Sequence, residues 1–348
     1  MDRVIRVVVV DDSAYVRKVV KEILSRSPFI EVVGTARDGR EALELVEQLD
    51  PDVVTCDLIM PELDGVGFVR EQMQRRPVPI IIMSIANENA EAALAALDAG
   101  AIDFVQKPTA LASEKIFEVS AELIEKVKAA GQVSLNRVPS PPPVSTFPTE
   151  PEKKIKGSHS VDIVVIGIST GGPQALKRLI PQLPQSFPVP VVMVMHMPVG
   201  YTEMYAAKLN EQSNLEVREA AEGDEVKPGR AFLAPAGRHL FLKRDESGKI
   251  VTHLDARPFN TLHKPSVDVL FQSAAEIYGS RVLGVVMTGM GSDGKEGAAW
   301  IKSQGGLVFT EAESSCVVYG MPCVVNEAGL SDRSVALEDM ARAISEVV

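Results

Sequence analysis

Ser169 stands in VDIVVIGISTGGP, residues Val161 to Pro173. Val161 to Ile166 is a continuous apolar run, the pattern of a strand buried on both faces. It enters Gly167-Ile168-Ser169-Thr170-Gly171-Gly172, and Pro173 suits the first turn of a helix over GGPQALKRLI. A serine on a tight strand-to-helix turn presents its hydroxyl beside backbone N–H groups, where a nucleophile is served. Glycines after a strand also make phosphate cradles or plain turns. The full G-x-G-x-x-G dinucleotide fingerprint is absent, which counts against a nucleotide cofactor.

A serine hydroxyl needs a base, and a histidine base needs a carboxylate to fix its tautomer. His196 ends the apolar stretch VPVVMVMHMP, and Asp293 lies in RVLGVVMTGMGSDG, which repeats the strand-then-glycine logic. All three residues lie at or just beyond the carboxyl end of a predicted parallel strand. Their order, Ser, His, Asp, differs from the Ser, Asp, His order of α/β-hydrolases. Among the other histidines, His159 lies at a linker edge and His253 mid-strand. His239 and His263 sit in or near loops, where they could touch substrate.

A second set lies in the first third of the chain. Asp11 and Asp12 end one predicted strand, Asp57 another, Ser84 a third, and Lys107 a fourth, followed by Pro108. Three carboxylates on one rim repel one another unless a cation sits among them, and oxygen-only ligands suit Mg²⁺. A lysine and a hydroxyl beside them could hold the oxygens of a phosphoryl group.

The elements that must position these residues alternate. VIRVVVV, EVVGTA, DVVTCD, PIIIMS and DFVQK read as strands, with helices between them such as SAYVRKVVKEILSR. Five such βα units predict an α/β fold, a doubly wound parallel sheet with its chemistry at the carboxyl ends of the strands. GQVSLNRVPSPPPVSTFPTEPEKKIKGS, Gly131 to Ser158, holds six prolines and few large apolar residues, so it reads as a semi-extended tether. Alternation then resumes as a second, mainly parallel doubly wound α/β domain. AFLAPAGRHLFLKR and KIVTHLD form an antiparallel excursion within it. The expected division is 1–125, a linker 126–158, and 159–348.

The 348 residues carry a formal net charge of −11. Before Ser158 there are 25 acidic against 19 basic residues, and from it onward 22 against 17, leaving −6 and −5. Neither half is basic, which argues against a nucleic-acid partner. Apolar runs are of strand length, too short for a membrane span, and MDRVIRVVVVDD has no signal-peptide pattern. Cys56, Cys316 and Cys323 show no metal spacing and read as reduced buried thiols of a cytoplasmic protein.

Residues 3 to 125 closely resemble the receiver domain of two-component response regulators, through Asp11-Asp12, Asp57, the MPELDG segment, Ser84 and Lys107-Pro108. The resemblance implies that Asp57 accepts phosphate from a histidine kinase. It also implies that Asp11, Asp12, Asp57 and the Ile59 carbonyl hold Mg²⁺, and that Phe104 is the aromatic switch residue beside Ser84 and Lys107. From Ser160 onward the chain is similar to the catalytic domain of chemotaxis protein-glutamate methylesterases, through IGISTGGP, VMHMP, APAGRHL, HKPSVDVLF, MTGMGSDG and VVYGMP. That similarity implies Ser169 as nucleophile, His196 as base and Asp293 as its orienting carboxylate, with Thr170 and the Met290 N–H near the oxyanion. Ser292 stands where relatives commonly have Asn. The implied reaction is hydrolysis of glutamate γ-methyl esters, and deamidation of glutamines, on chemoreceptor cytoplasmic helices by a monomer needing no cofactor for the esterase. The receiver would then act as a phosphorylation-controlled cover over the esterase site. The rival readings are a non-catalytic signalling adaptor and a DNA-binding regulator. The first gives no reason to hold the three triad residues together, and the second conflicts with the acidic second domain.

Overall fold

The computed structural model describes residues 4–85, 90–107, 113–133, 161–257 and 261–348. Pro108, His159 and most of the Pro-rich stretch, residues 134–160, lie outside the described residues. The chain divides into two units, Met1–Val138 and Pro139–Val348.

The first unit alternates β1 (Ile5–Val10), α1 (Ala14–Leu24), β2 (Ile30–Ala36), α2 (Gly39–Leu49), β3 (Val53–Asp57), α3 (Gly65–Arg75), β4 (Ile80–Ser84), α4 (Ala90–Ala99), β5 (Asp103–Gln106) and α5 (Ser113–Ala130). The strands form one parallel sheet in the order β2-β1-β3-β4-β5. Every residue of β3 and β4 is buried, as near-continuous apolar strands are when helices cover both faces. Val7, Val9 and Ile81 of the sheet pack against Val20 of α1 and Val127 of α5. Each such fully buried aliphatic side chain contributes about 1.5–3 kcal/mol, so the sheet fixes where its strand ends lie. Caps set the helix starts: Ser13, Asp38 and Asp64 each accept a backbone N–H from the first turn of α1, α2 and α3. The expected boundary at 125 falls inside α5, whose last turns stay buried through Ala130.

The second unit runs β6 (Ile163–Ile168), α6 (Gly172–Leu179), β7 (Val191–Met195), α7 (Thr202–Glu211), β8 (Glu216–Glu219), β9 (Arg230–Leu233), β10 (His239–Arg244), β11 (Ile250–Asp255), α8 (Val267–Tyr278), β12 (Val282–Val286), α9 (Lys295–Ser303), β13 (Leu307–Glu311), α10 (Met321–Glu327), β14 (Arg333–Val335) and α11 (Leu337–Ser345). Seven strands make a parallel sheet in the order β14-β13-β12-β6-β7-β9-β8. The antiparallel excursion is narrower than the sequence suggests. Among the named strands of the described residues, only β10 and β11 pair antiparallel, while β9 joins the main sheet between β7 and β8. β10 also packs on α8, where the Leu242 N–H donates to Ser273 Oγ at 3.2 Å.

In both sheets the strand order reverses, and a crevice opens at the carboxyl ends where it does. In the first unit the reversal lies between β1 and β3, which end at Val10 and Asp57. In the second it lies around β6, with β7 on one side and β12 on the other. Among the described residues, no helix is long and apolar enough to cross a membrane.

Candidate active site

Ser169 is the first residue beyond β6. Its N–H donates to Thr288 O at 2.9 Å, and its carbonyl accepts from the Gly172 N–H at 2.7 Å. Gly171 caps α6 at φ 80°, in the left-handed region that favours glycine, and so lets the strand turn straight into the helix. The loop after β12 lies against the serine: a Cβ on Gly289 would come within 2.7 Å of Ser169 Cβ. Glycine is what permits that approach.

Strand register brings His196 beside Ser169. Ile168 of β6 pairs with Met195 of β7, and the His196 N–H donates to Ile168 O at 3.2 Å. Ser169 and His196 therefore leave neighbouring strands at one level, about one strand spacing of 5 Å apart at the backbone. On the other flank Val286 of β12 pairs with Gly167, and the following loop carries Asp293. His196 Nε2 lies 2.8 Å from Asp293 Oδ2, with both side chains largely buried. Asp293 also accepts from Ser266 Oγ at 2.8 Å, Val267 N–H at 2.8 Å and Asp268 N–H at 3.0 Å. Burial alone would raise its pKa. The hydrogen bond and charge of His196, with the two N–H groups at the start of α8, reverse this and hold it well below the usual carboxylate range. With Nε2–H donating to this carboxylate, the lone pair of a neutral His196 is on Nδ1. Nδ1 is buried without a hydrogen-bond partner among the described residues. The His263 ring stacks on His196, centroids 3.9 Å apart.

Asp268 returns the favour to Asp293's own helix. Its Oδ1 accepts from Gly294 N–H at 2.9 Å and Gly297 N–H at 2.7 Å, at the start of α9. Burial, and then the nearby Asp293 charge, push its pKa up to about 6. The folded protein therefore favours the protonated form. The stability that this form contributes is complete below the unfolded value of 3.8 and is lost as pH rises through about 6. Asp268→Asn keeps the Oδ1 acceptor and cannot ionise. At pH 7.5 it is expected to be more stable than the parent by on the order of 1 kcal/mol after solvent screening, an advantage absent at pH 4. Denaturant unfolding at the two pH values checks this, and equal differences at both would contradict it.

The remaining predicted groups fall as follows. Thr170 is buried, and its carbonyl accepts from Thr288 Oγ1 at 2.9 Å. Met290 follows Gly289 in the loop against Ser169. His239, expected in or near a loop where it could touch substrate, is the first residue of β10 and is fully buried. His253 projects from β11 to Glu222, 2.9 Å away. Cys56 and Cys316 are buried, whereas Cys323 is only half-buried.

In the first unit, ligand oxygens of Asp11, Asp12 and Asp57 lie within 4.8 Å of one another. Lys107 Nζ lies 2.7 Å from Asp57 Oδ2 and 2.8 Å from Asp11 Oδ2. Burial raises the Asp11 pKa despite this ammonium. Lys107 is itself raised, because its two carboxylate partners outweigh the cost of burial. Ser84 is buried at the end of β4, and its carbonyl accepts the Lys107 N–H at 2.8 Å. Phe104 is buried in β5, while Ile59 is exposed in the loop after β3. Oxygen-only donors converging around Asp57 suit a hard divalent cation such as Mg²⁺.

Sequence reasoning did not find Ser266, Asp268 or Thr288. Only Asp268, in the first turn of a helix, had a readable signal, since acids are favoured there.

The CheB methylesterase family matches residues 164–344, and the response regulator receiver domain family matches residues 7–118. Protein-glutamate methylesterase/protein-glutamine glutaminase 5 of Myxococcus xanthus is 50% identical over 337 residues, covering 97% of this chain and 96% of its own length. The protein-glutamate methylesterase/protein-glutamine glutaminase of Symbiobacterium thermophilum is 44% identical, covering 100% of this chain and 98% of its own. The crystal structure of the Thermotoga maritima CheB methylesterase catalytic domain aligns over 54% of this chain and all of its own, at 44% identity and a TM-score of 0.53. Receiver sheet and catalytic sheet follow one another here as the two family matches require, and the chain belongs to the CheB methylesterase family.

Proposed function

We propose that this chain is a protein-glutamate methylesterase and protein-glutamine glutaminase acting on chemoreceptor cytoplasmic helices, controlled by phosphorylation of its receiver. The observation that carries the reading is the His196–Asp293 pair at 2.8 Å, with Nδ1 unpartnered among the described residues, just past the end of the strand that neighbours β6 and Ser169. In this reading Ser169 Oγ attacks the side-chain carbonyl carbon while His196 Nδ1 takes its proton. The carbonyl oxygen becomes an oxyanion, held by N–H groups of the Thr170 turn and Met290. The tetrahedral intermediate collapses, and His196 protonates the leaving group as methanol from an ester or ammonia from an amide. A water, deprotonated by the same Nδ1, then splits the acyl-enzyme.

In the receiver, Asp57 is the phosphoacceptor. Asp11, Asp12, Asp57 and the Ile59 carbonyl would hold Mg²⁺, which supplies charge neutralisation when bound. Lys107 and Ser84 would hold the oxygens of the new phosphoryl group, with Phe104 as the switch residue. The phosphodonor is a histidine kinase, and we place the monomeric enzyme in the cytoplasm, where kinase and receptor helices lie.

The test is methanol release from methylated receptor membranes, with and without a small phosphodonor and Mg²⁺. Phosphodonor is expected to raise the wild-type rate about 5- to 150-fold, the range of a coupling of 1–3 kcal/mol. Asp57→Asn should take up no phosphate and show no increase. Equal phosphate labelling of the two proteins would place the phosphate elsewhere. No methanol release from either would favour the adaptor reading.

A further inference from the structure

Glu311 ends β13 with its side chain wholly inside the protein. Nothing in the triad uses it, and a buried carboxyl is costly unless it is satisfied. It is satisfied in one specific way: Oε2 accepts the Thr288 N–H at 2.9 Å, and Oε1 accepts the Ser315 hydroxyl at 3.0 Å. Burial pushes its pKa up to about 7 in spite of these bonds.

Thr288 is the point through which the nucleophile turn is held. Its carbonyl accepts the Ser169 N–H at 2.9 Å. Its Oγ1 donates to Thr170 O at 2.9 Å and accepts the Val318 N–H at 3.0 Å. The next two residues are Gly289, packed on Ser169 Cβ, and Met290. What fixes Thr288 itself is not the sheet. Pairing of β12 with β13 ends at Val286 with Thr310, so no strand carbonyl reaches the Thr288 N–H. The Glu311 carboxyl, one residue past that last pair, takes the place of the missing rung.

We propose that Glu311 is a positioning residue for the reaction, holding the Thr288 peptide so that the Ser169 turn and the Met290 loop keep their mutual geometry. The proposal rests on Ser169 being the nucleophile, as read above. Losing the acceptor would leave the Thr288 N–H buried and unpaired, and the loop would shift to satisfy it. A displacement of about 1 Å at a reacting group costs on the order of 100-fold in rate.

The experiment uses the full chain, methylated receptor membranes for kcat and KM, and a fluorophosphonate to time the covalent labelling of Ser169. Glu311→Ala is expected to lower kcat about 10- to 100-fold, slow labelling in parallel, and leave KM within about twofold. Glu311→Gln should restore both rates to within about threefold, since its amide oxygen can accept the Thr288 N–H and the Ser315 hydroxyl can turn to accept. A purely structural role would lower the melting temperature without slowing the labelling of folded enzyme. If the alanine variant does not fold, Glu311→Asp keeps the carboxyl but withdraws it, and should slow kcat and labelling at constant KM. A folded Glu311→Ala or Glu311→Asp with wild-type labelling overturns the proposal, as does Glu311→Gln no faster than Ala. Labelling that persists in Ser169→Ala overturns the nucleophile assignment instead, and the proposal falls with it.

Discussion

Ser169→Ala is expected to release methanol from methylated receptors at least about 10⁴-fold more slowly than the parent, the scale of losing a triad nucleophile. The fold should be unaffected. The backbone N–H and carbonyl of Ser169 make the bonds that tie its turn to Thr288 and Gly172, and alanine keeps both. Alanine also keeps the Cβ against which Gly289 packs. A melting temperature equal to the parent's, together with loss of methanol release, is the paired result. Turnover within tenfold of the parent in a folded variant would remove Ser169 from the chemistry.

Asp293→Asn should cost about 10⁴-fold in kcat, the scale seen when the orienting carboxylate of a triad becomes an amide. Both oxygens of Asp293 are surrounded by donors: Ser266 Oγ and Asp268 N–H at Oδ1, Val267 N–H and His196 at Oδ2. Whichever way an asparagine is placed, its NH₂ faces a backbone N–H at the start of α8. With NH₂ toward His196, the ring must carry its proton on Nδ1, and the lone pair intended for Ser169 is lost. With NH₂ on the other side, the Asp268 N–H loses its acceptor. The substitution should therefore also destabilise by about 1–3 kcal/mol, the cost of a buried unpaired donor. Kinetics and denaturant unfolding of the same sample check both effects. A kcat near the parent's would mean that His196 is oriented by another group.

How much of this could be read in the sequence depends on how local the cause is. β3, β4, β6, β7 and β12 were legible because a strand buried on both faces reads as a near-continuous apolar run, and each is apolar apart from Thr55 and Asp57 in β3, Ser84 in β4, Gly167 in β6 and Gly284 in β12. Ser169, His196 and Asp57 were legible as candidates because such runs stop at polar residues that have no packing reason to be there. β8, EVRE, was missed because only Val217 of its four residues is buried, and an edge strand needs no more. β14 has three residues and one buried side chain, too little for any periodicity. The helix α10 follows a glycine and begins Met-Pro, which reads equally well as a turn. Glu311 and Thr288 were beyond the sequence for another reason. Their bond joins residues 23 apart, and the one from Thr288 to Thr170 joins residues 118 apart. No spacing rule encodes either partner. Asp268 marks the middle ground: an acid in the first turn of a helix follows a local rule, yet its reach to α9 depends on packing.

The four donors around Asp293 have a consequence for motion. Three of them belong to Ser266, Val267 and Asp268, so the carboxylate is seated on the end of α8 and cannot swing to follow its histidine. His196 is pressed from one face by the His263 ring, which narrows its own freedom to turn. A ring tethered at Nε2 to an immovable oxygen has one nitrogen left for traffic. In the proposed mechanism, the proton removed from the serine, the proton given to the departing methanol and the proton taken from water would therefore all pass through Nδ1 in sequence. On that mechanism the imidazole would work as a single-berth ferry, with no ring flip in the cycle.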